Sequence, residues 1–155
     1  MKNTLVSIVL ALCLVVSPAF GDGRKLVVVV AKGANVTNIS RTDLKRCFTS
    51  ESISVGDKVL VPFNAAPNSA DRTAFDKAVL GMSPDEVGRF WVDRKVRGQS
   101  AAPRSLPSVA HIAKVTAKFP GAISYLPADQ LTPDIQAVSV DGVAYTDARY
   151  NIITQ

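Results

Sequence analysis

Residues 25–31, Lys-Leu-Val-Val-Val-Val-Ala, form a continuous β-branched run. After Lys25 there is no polar alternation, so neither face of this stretch is marked for water. A strand of this kind is buried on both faces, as in the middle of an α/β sheet with helices on either side. The rest of the chain must therefore supply neighbouring strands and two layers of cover. Lys32-Gly33-Ala34-Asn35 turns out of the strand.

The helices announce themselves by their starts. Ser40 caps a helix, Asp43 stands where a capping-box partner belongs, and Ile39 with Leu44 makes a hydrophobic staple. Leu44, Cys47 and Phe48 then share one face, which makes Cys47 a small buried hydrophobe. Ser83-Pro84-Asp85-Glu86 is a second start: Ser83 caps, Pro84 opens the helix, Glu86 completes the box, and Met82 with Val87 is the staple. Trp91 shares a face with Val87 and Phe90 and reads as a core anchor. Residues 108–118 are the most regular helix. Val109, Ile112, Ala113, Thr116 and Ala117 line one side, while His111, Lys114 and Lys118 line the other. The lone histidine is thus expected in solvent.

Between the first two of these helices lies the stretch most suggestive of a site. Residues 59–63 read as a strand, 64–68 as a Pro/Asn/Ala loop, and 70–80 as a helix with Ala74, Phe75, Ala78 and Val79 inward, stopped by Gly81. A strand that passes through a polar loop onto a helix start presents free backbone N–H groups and the positive end of the helix dipole to an anion. The candidate ligand-binding residues are Asn68, Ser69, Ala70, Asp71, Arg72 and Thr73. With Asn68 as the cap, Asp71 becomes the third helical residue and satisfies the helix end by itself. That favours a protonated or cationic group on the ligand over a bare anion.

Residues 52–57 and 98–107 read as loops, 122–126 as a strand, and 135–145 as a hairpin around Asp141-Gly142, with fraying final residues. The order β-α-β-α-α-α-β-β-β points to an α/β fold with a mixed sheet flanked by helices. Arg94, Lys95, Arg97 and Arg104 make the densest basic region, which reads as a solvated face or as a docking surface for an acidic envelope partner.

The first residues carry an export signal. Lys2 precedes an apolar run at 5–16, and Pro18 and Ala19-Phe20-Gly21 follow. Cleavage is expected after Gly21, which leaves residues 22–155 as one domain, periplasmic or secreted. Leu12 is too large to precede a lipidated Cys13. The signal contains Lys2 and no acid, so its removal lowers the net charge of +5 by one, to a mildly basic value. No later stretch is long and apolar enough to span a bilayer. No basic tail or aromatic-interleaved basic stripe indicates nucleic acid.

Catalytic chemistry finds little material. One histidine and one cysteine after the signal cannot build a metal cluster, and the carboxylates lack ligand spacing. No nucleophile elbow, P-loop or dinucleotide fingerprint is present. We therefore expect no enzyme activity, no metal and no cofactor.

Five segments, taken in order, resemble a known group: LVVVV, ISRTDLKRCF, VLVPFNAAPNSADRTAFDKAVLG, SPDEVGRFWVDRKVRGQSAAPR and PGAISYLPAD. The chain is similar to small exported proteins related to phosphate ABC-transporter substrate-binding proteins, of the type 2 periplasmic-binding superfamily. The resemblance implies a single α/β lobe related to the second lobe of a full phosphate receptor, a phosphate-like anion as ligand, and no catalysis. Full receptors carry Ser-Gly-Thr at the helix start and an Arg shortly before it. Ser69 matches the Ser, Ala70 stands for the Gly, Asp71 for the Thr, and Phe63 or Asn64 lies near the Arg. The shorter relatives tend to carry Gly where this chain has Ser124.

Overall fold

The structure, a computed structural model, describes residues 24–50 and 52–152. The export signal expected at 1–21 lies outside these residues.

Strand β1 (Leu26–Ala31) is buried at every position, as its composition predicts. It runs antiparallel between β6 (Ala122–Pro127) and β7 (Ile135–Ala137), with Val28 opposite Tyr125 and Val30 opposite Gln136. β6 is likewise buried throughout and pairs in parallel with β4 (Lys58–Asn64) on its other side. With β3 (Ile53–Val55) at one edge, the sheet order is β3-β4-β6-β1-β7, a mixed sheet as expected, with β5 (Arg104–Ser105) added in parallel to β4. Helices α1 (Arg41–Thr49) and α2 (Ala70–Phe75) pack on β4 and β6, and α4 (Val109–Lys118) packs on β6 and β1. Two strands dry on both faces require such cover.

The caps expected at Ser40 and Ser83 form, and Ser108, expected inside its helix, caps α4. Ser40, Ser83 and Ser108 each accept from the third helical N–H. At α3 (Pro84–Val96) the box is complete, and Glu86 returns to the Ser83 N–H at 2.7 Å. In α1 the shorter Asp43 takes the Ser40 hydroxyl instead, at 2.8 Å.

Four expectations change. Residues 52–57 are not all loop. β3 (Ile53–Val55) forms a hairpin with β4, closed by Gly56-Asp57 between the paired Val55 and Lys58. The 98–107 stretch contains β5, whose register places Arg104 beside Phe63. The 135–145 stretch is not a hairpin. β7 joins β1, and β8 (Ser139–Val140) pairs in parallel with β2 (Asn38–Ile39), leaving a single Val140–Val143 bridge around the Asp-Gly turn. The competing partner lies about a hundred residues away and carries no local signal. The chain end does not fray through Ile152. β7 covers only part of β1, so the remaining N–H groups need other acceptors. Leu26 donates to the Ile152 carbonyl at 3.0 Å and Val28 to the Tyr150 hydroxyl at 3.1 Å.

Gly121 has a specific steric reason. A Cβ there would lie 2.9 Å from the Val59 carbonyl oxygen, where β6 starts alongside β4.

Candidate functional site

The candidate helix begins at Ala70, as its sequence suggests, but its cap is not the Asn68 considered there. Ser69, not Asn68, is the cap of α2: its Oγ accepts from the Arg72 N–H at 3.2 Å and donates to the Ala66 carbonyl at 2.8 Å. Asn68 takes a left-handed conformation, with φ at 63°, to turn the chain into the cap. Asn tolerates that region better than most residues. Arg72 therefore occupies the third helical position, and Asp71 the second.

That shift divides the six candidates. Asn68, Arg72 and Thr73 line a cavity of about 220 Å³. Ser69 is occupied by capping, and Ala70 is exposed. Asp71 is not on the cavity wall and is engaged electrostatically with Arg24 and Asp129, which pair with each other at 3.5 Å. Burial pushes the Asp71 carboxyl up, Arg24 draws it back, and Asp129 adds to the rise. The capping box proposed through Asp71 does not form.

Two residues outside the six, Asp76 and Ser105, add polar side chains to the cavity wall. Asp76 is 3 % exposed and its Oδ2 accepts from Arg72 Nε at 2.6 Å, one helical turn away. Burial pushes its carboxyl up, and Arg72 only partly counters that. Asp76 Oδ1 is buried with no hydrogen-bond partner. Ser105 of β5 lines the same cavity, and Val87 and Gly88 of α3 close one side. The i, i+4 spacing of Arg72 and Asp76 was legible, since such pairs face each other on a helix. A helical carboxylate reads as solvated, however, and nothing local marks Asp76 as buried.

At Asp76 the expected single α-helix over 70–80 changes character. Residues Asp76–Leu80 form a π-helical turn, ended by Gly81 at φ 72°. Such turns recur at functional sites. They place Asp76, Val79 and Leu80 against the core beside Phe75.

The loop before the cap is held from below. Tyr125 is fully buried and stacks on Phe75 with centroids 3.8 Å apart and planes 4° from parallel. Its hydroxyl accepts from the Ala65 N–H and donates to Asn64 Oδ1, each at 3.3 Å. Burial pushes this phenol far above its ordinary value, so the proton stays. Ser124, where relatives of the resembled group tend to have Gly, donates to the Phe63 carbonyl at 2.8 Å. Both residues fix the end of β4 from which the site loop departs.

The basic segment is not one patch. Arg94 is half-buried, donates to Ser100 Oγ at 2.7 Å, and lies over the Phe90 and Trp91 rings at 5.4 and 5.9 Å. Arg97 pairs with Asp93 at 2.9 Å, Lys95 is exposed, and Arg104 sits on β5. Trp91 is half-buried against the core margin rather than a central anchor. Cys47 is fully buried as predicted, and burial pushes its thiol up to about 12, far from a nucleophile's range. His111 is exposed, with Nδ1 2.8 Å from Ser108 Oγ. A larger groove, about 690 Å³, runs along α4 and contains none of the six candidates. Among the described residues no group of His, Cys, Asp or Glu is arranged to hold a metal, and no helix is long and apolar enough to cross a membrane.

No protein-family model matches the chain, and no curated protein sequence does. Solved structures do. A putative phosphate ABC transporter substrate-binding protein from Clostridium perfringens, solved with bound phosphate, superposes with a TM-score of 0.66 at 18 % identity, over 84 % of this chain and 52 % of that one. PstS from Borrelia burgdorferi gives 0.61 at 16 % identity, over 84 % and 55 %. An ABC-type phosphate transport receptor from Vibrio cholerae gives 0.60 at 16 %, over 77 % and 47 %. The chain spans about half the length of these structures. It therefore has the α/β fold of one half of a phosphate-transport receptor.

Proposed function

We propose that this chain is a non-enzymatic solute-binding module whose seat is the cavity beside α2, with Arg72 as the residue that receives an anionic group of the ligand. The observation that carries the proposal is the state of Arg72. Its side chain is 12 % exposed, held at Nε by Asp76, and it lines a cavity with its two Nη groups meeting no acceptor among the described residues. A guanidinium fixed on one edge is pre-organised to receive an oxyanion on another. Asn68, Thr73 and Ser105 add neutral polar groups to the same wall. The shared fold with phosphate-transport receptors supports the class of function, and phosphate-like anions are the first ligands to try. Binding, rather than catalysis, also fits a buried thiol and an exposed histidine. We further propose export through the apolar segment at 5–16, with residues 22–155 forming one periplasmic or secreted domain.

The test is a thermal-shift and calorimetry panel of small anions on the chain and on Arg72→Met. The proposal expects a saturable shift in the parent and its loss in the variant. A flat panel, or binding untouched by Arg72→Met, contradicts it.

One observation favours a second reading, an envelope docking module. Val92 and Val96 are 64 % and 82 % exposed on α3, beside Lys95 and Arg97. An acidic protein partner would then bind in a salt-dependent way, and Val96→Glu with Lys95→Glu would abolish capture while leaving the cavity's ligand binding intact.

A further inference from the structure

Among the described residues that line the α2 cavity, Asp76 is the one carboxylate, and one of its oxygens has no partner. Oδ2 holds Arg72 Nε, while Oδ1 is buried with no donor. A buried acceptor without a donor is uncommon and demands an occupant. Arg72 is its mirror image, engaged at Nε and open at Nη. The charges on the wall are thus one cation and one anion, with Asn68, Thr73 and Ser105 neutral.

A bare oxyanion would satisfy Arg72 but would meet the Asp76 carboxylate as a like charge. A bare amine would satisfy Asp76 and leave Arg72 as it is. Water could donate to Oδ1, and at about 30 Å³ each several waters fit a cavity of about 220 Å³, so a ligand that displaces them must bring a donor to Asp76 as well as an acceptor to Arg72. We infer that the cavity takes a small zwitterion, its anionic group on the Nη edge of Arg72 and its ammonium against the Asp76 carboxylate. The inference rests on the solute-binding reading and narrows it from anions to ligands with both charges. Burial also pushes the Asp76 carboxyl up, and a ligand ammonium supplies the second positive partner that would keep it ionised.

The test compares whole ligands with their halves on the parent chain. 2-Aminoethylphosphonate and β-alanine are the zwitterions; ethylphosphonate, propionate, ethylamine and inorganic phosphate are the controls. The expected result is a zwitterion bound at least tenfold more tightly than its own halves. Asp76→Asn should remove that preference, lowering 2-aminoethylphosphonate affinity about tenfold while ethylphosphonate binding holds or improves. If ethylphosphonate or phosphate binds the parent as tightly as the zwitterion, the inference is overturned and the solute-binding reading stands. If no ligand binds, both fall. Should Asp76→Asn not fold, the comparison on the parent decides alone.

Discussion

Helices α2 and α3 are neighbours in sequence, and they are built on opposite plans. α3 has the stronger local signals: a complete capping box, Pro84 in the first turn, and thirteen residues. Yet Val87 is its one buried residue, and Val92 and Val96 lie open to solvent. α2 is six residues long with a plain serine cap. It nevertheless drives Phe75 into the stack with Tyr125 and Phe48 and holds the buried Arg72–Asp76 pair. Local signals settle where a helix starts. They do not settle how deeply it docks, which depends on partners far away in sequence, here Tyr125 on β6.

Four mutational tests would break or sharpen this contrast. The largest effect is expected from Phe75→Ala, which empties the centre of the aromatic stack and costs about 3–5 kcal/mol. Phe90→Ala on α3 should cost no more than about 1–2 kcal/mol, because its ring is only half-buried. Urea denaturation of both variants checks the pair, and equal losses would erase the distinction between the helices. Arg72→Met comes next. It leaves the Asp76 carboxylate buried and unpaired, a loss of about 3 kcal/mol. Adding Asp76→Leu to it should recover most of that loss, since a buried ion pair often exchanges for apolar side chains at little cost. A double mutant as unstable as the single would show that the pair itself holds α2. Ser83→Ala should cost about 1 kcal/mol through the lost cap of α3. Val96→Ser should stay within about 0.5 kcal/mol in thermal melts.

The fold was legible where periodicity and capping speak. The all-buried β1, the serine caps at 40 and 83, and the inward faces of α1 and α4 follow from local pattern. The β2–β8 pairing was not legible, because two-residue strands a hundred residues apart have no periodicity to show. β3 was hidden by polar Ser52, Ser54 and Asp57 around a short Ile53–Val55 strand. Of the six candidate residues, Asn68, Arg72 and Thr73 line the cavity and the others do not. With Ser69 rather than Asn68 as the cap, Asp71 lies off the cavity wall and Arg72 lies on it. The sequence reading put the Asp71 carboxylate at the candidate seat, whereas the carboxylate that lines the cavity is Asp76. The difference is one of burial: a helical aspartate shows its depth only when the sheet beneath it is known.

The most direct test of the central claim follows backbone amide and Arg72 Nε resonances of the 15N-labelled chain during titration with 2-aminoethylphosphonate, a ligand that carries both charges. The account predicts saturable shifts at Asn68, Arg72, Thr73, Asp76 and Ser105, with Asp71 and the α3 C-terminus around Lys95 and Arg97 silent. Shifts confined to Lys95, Arg97 and Arg104, or none at Arg72, would contradict it.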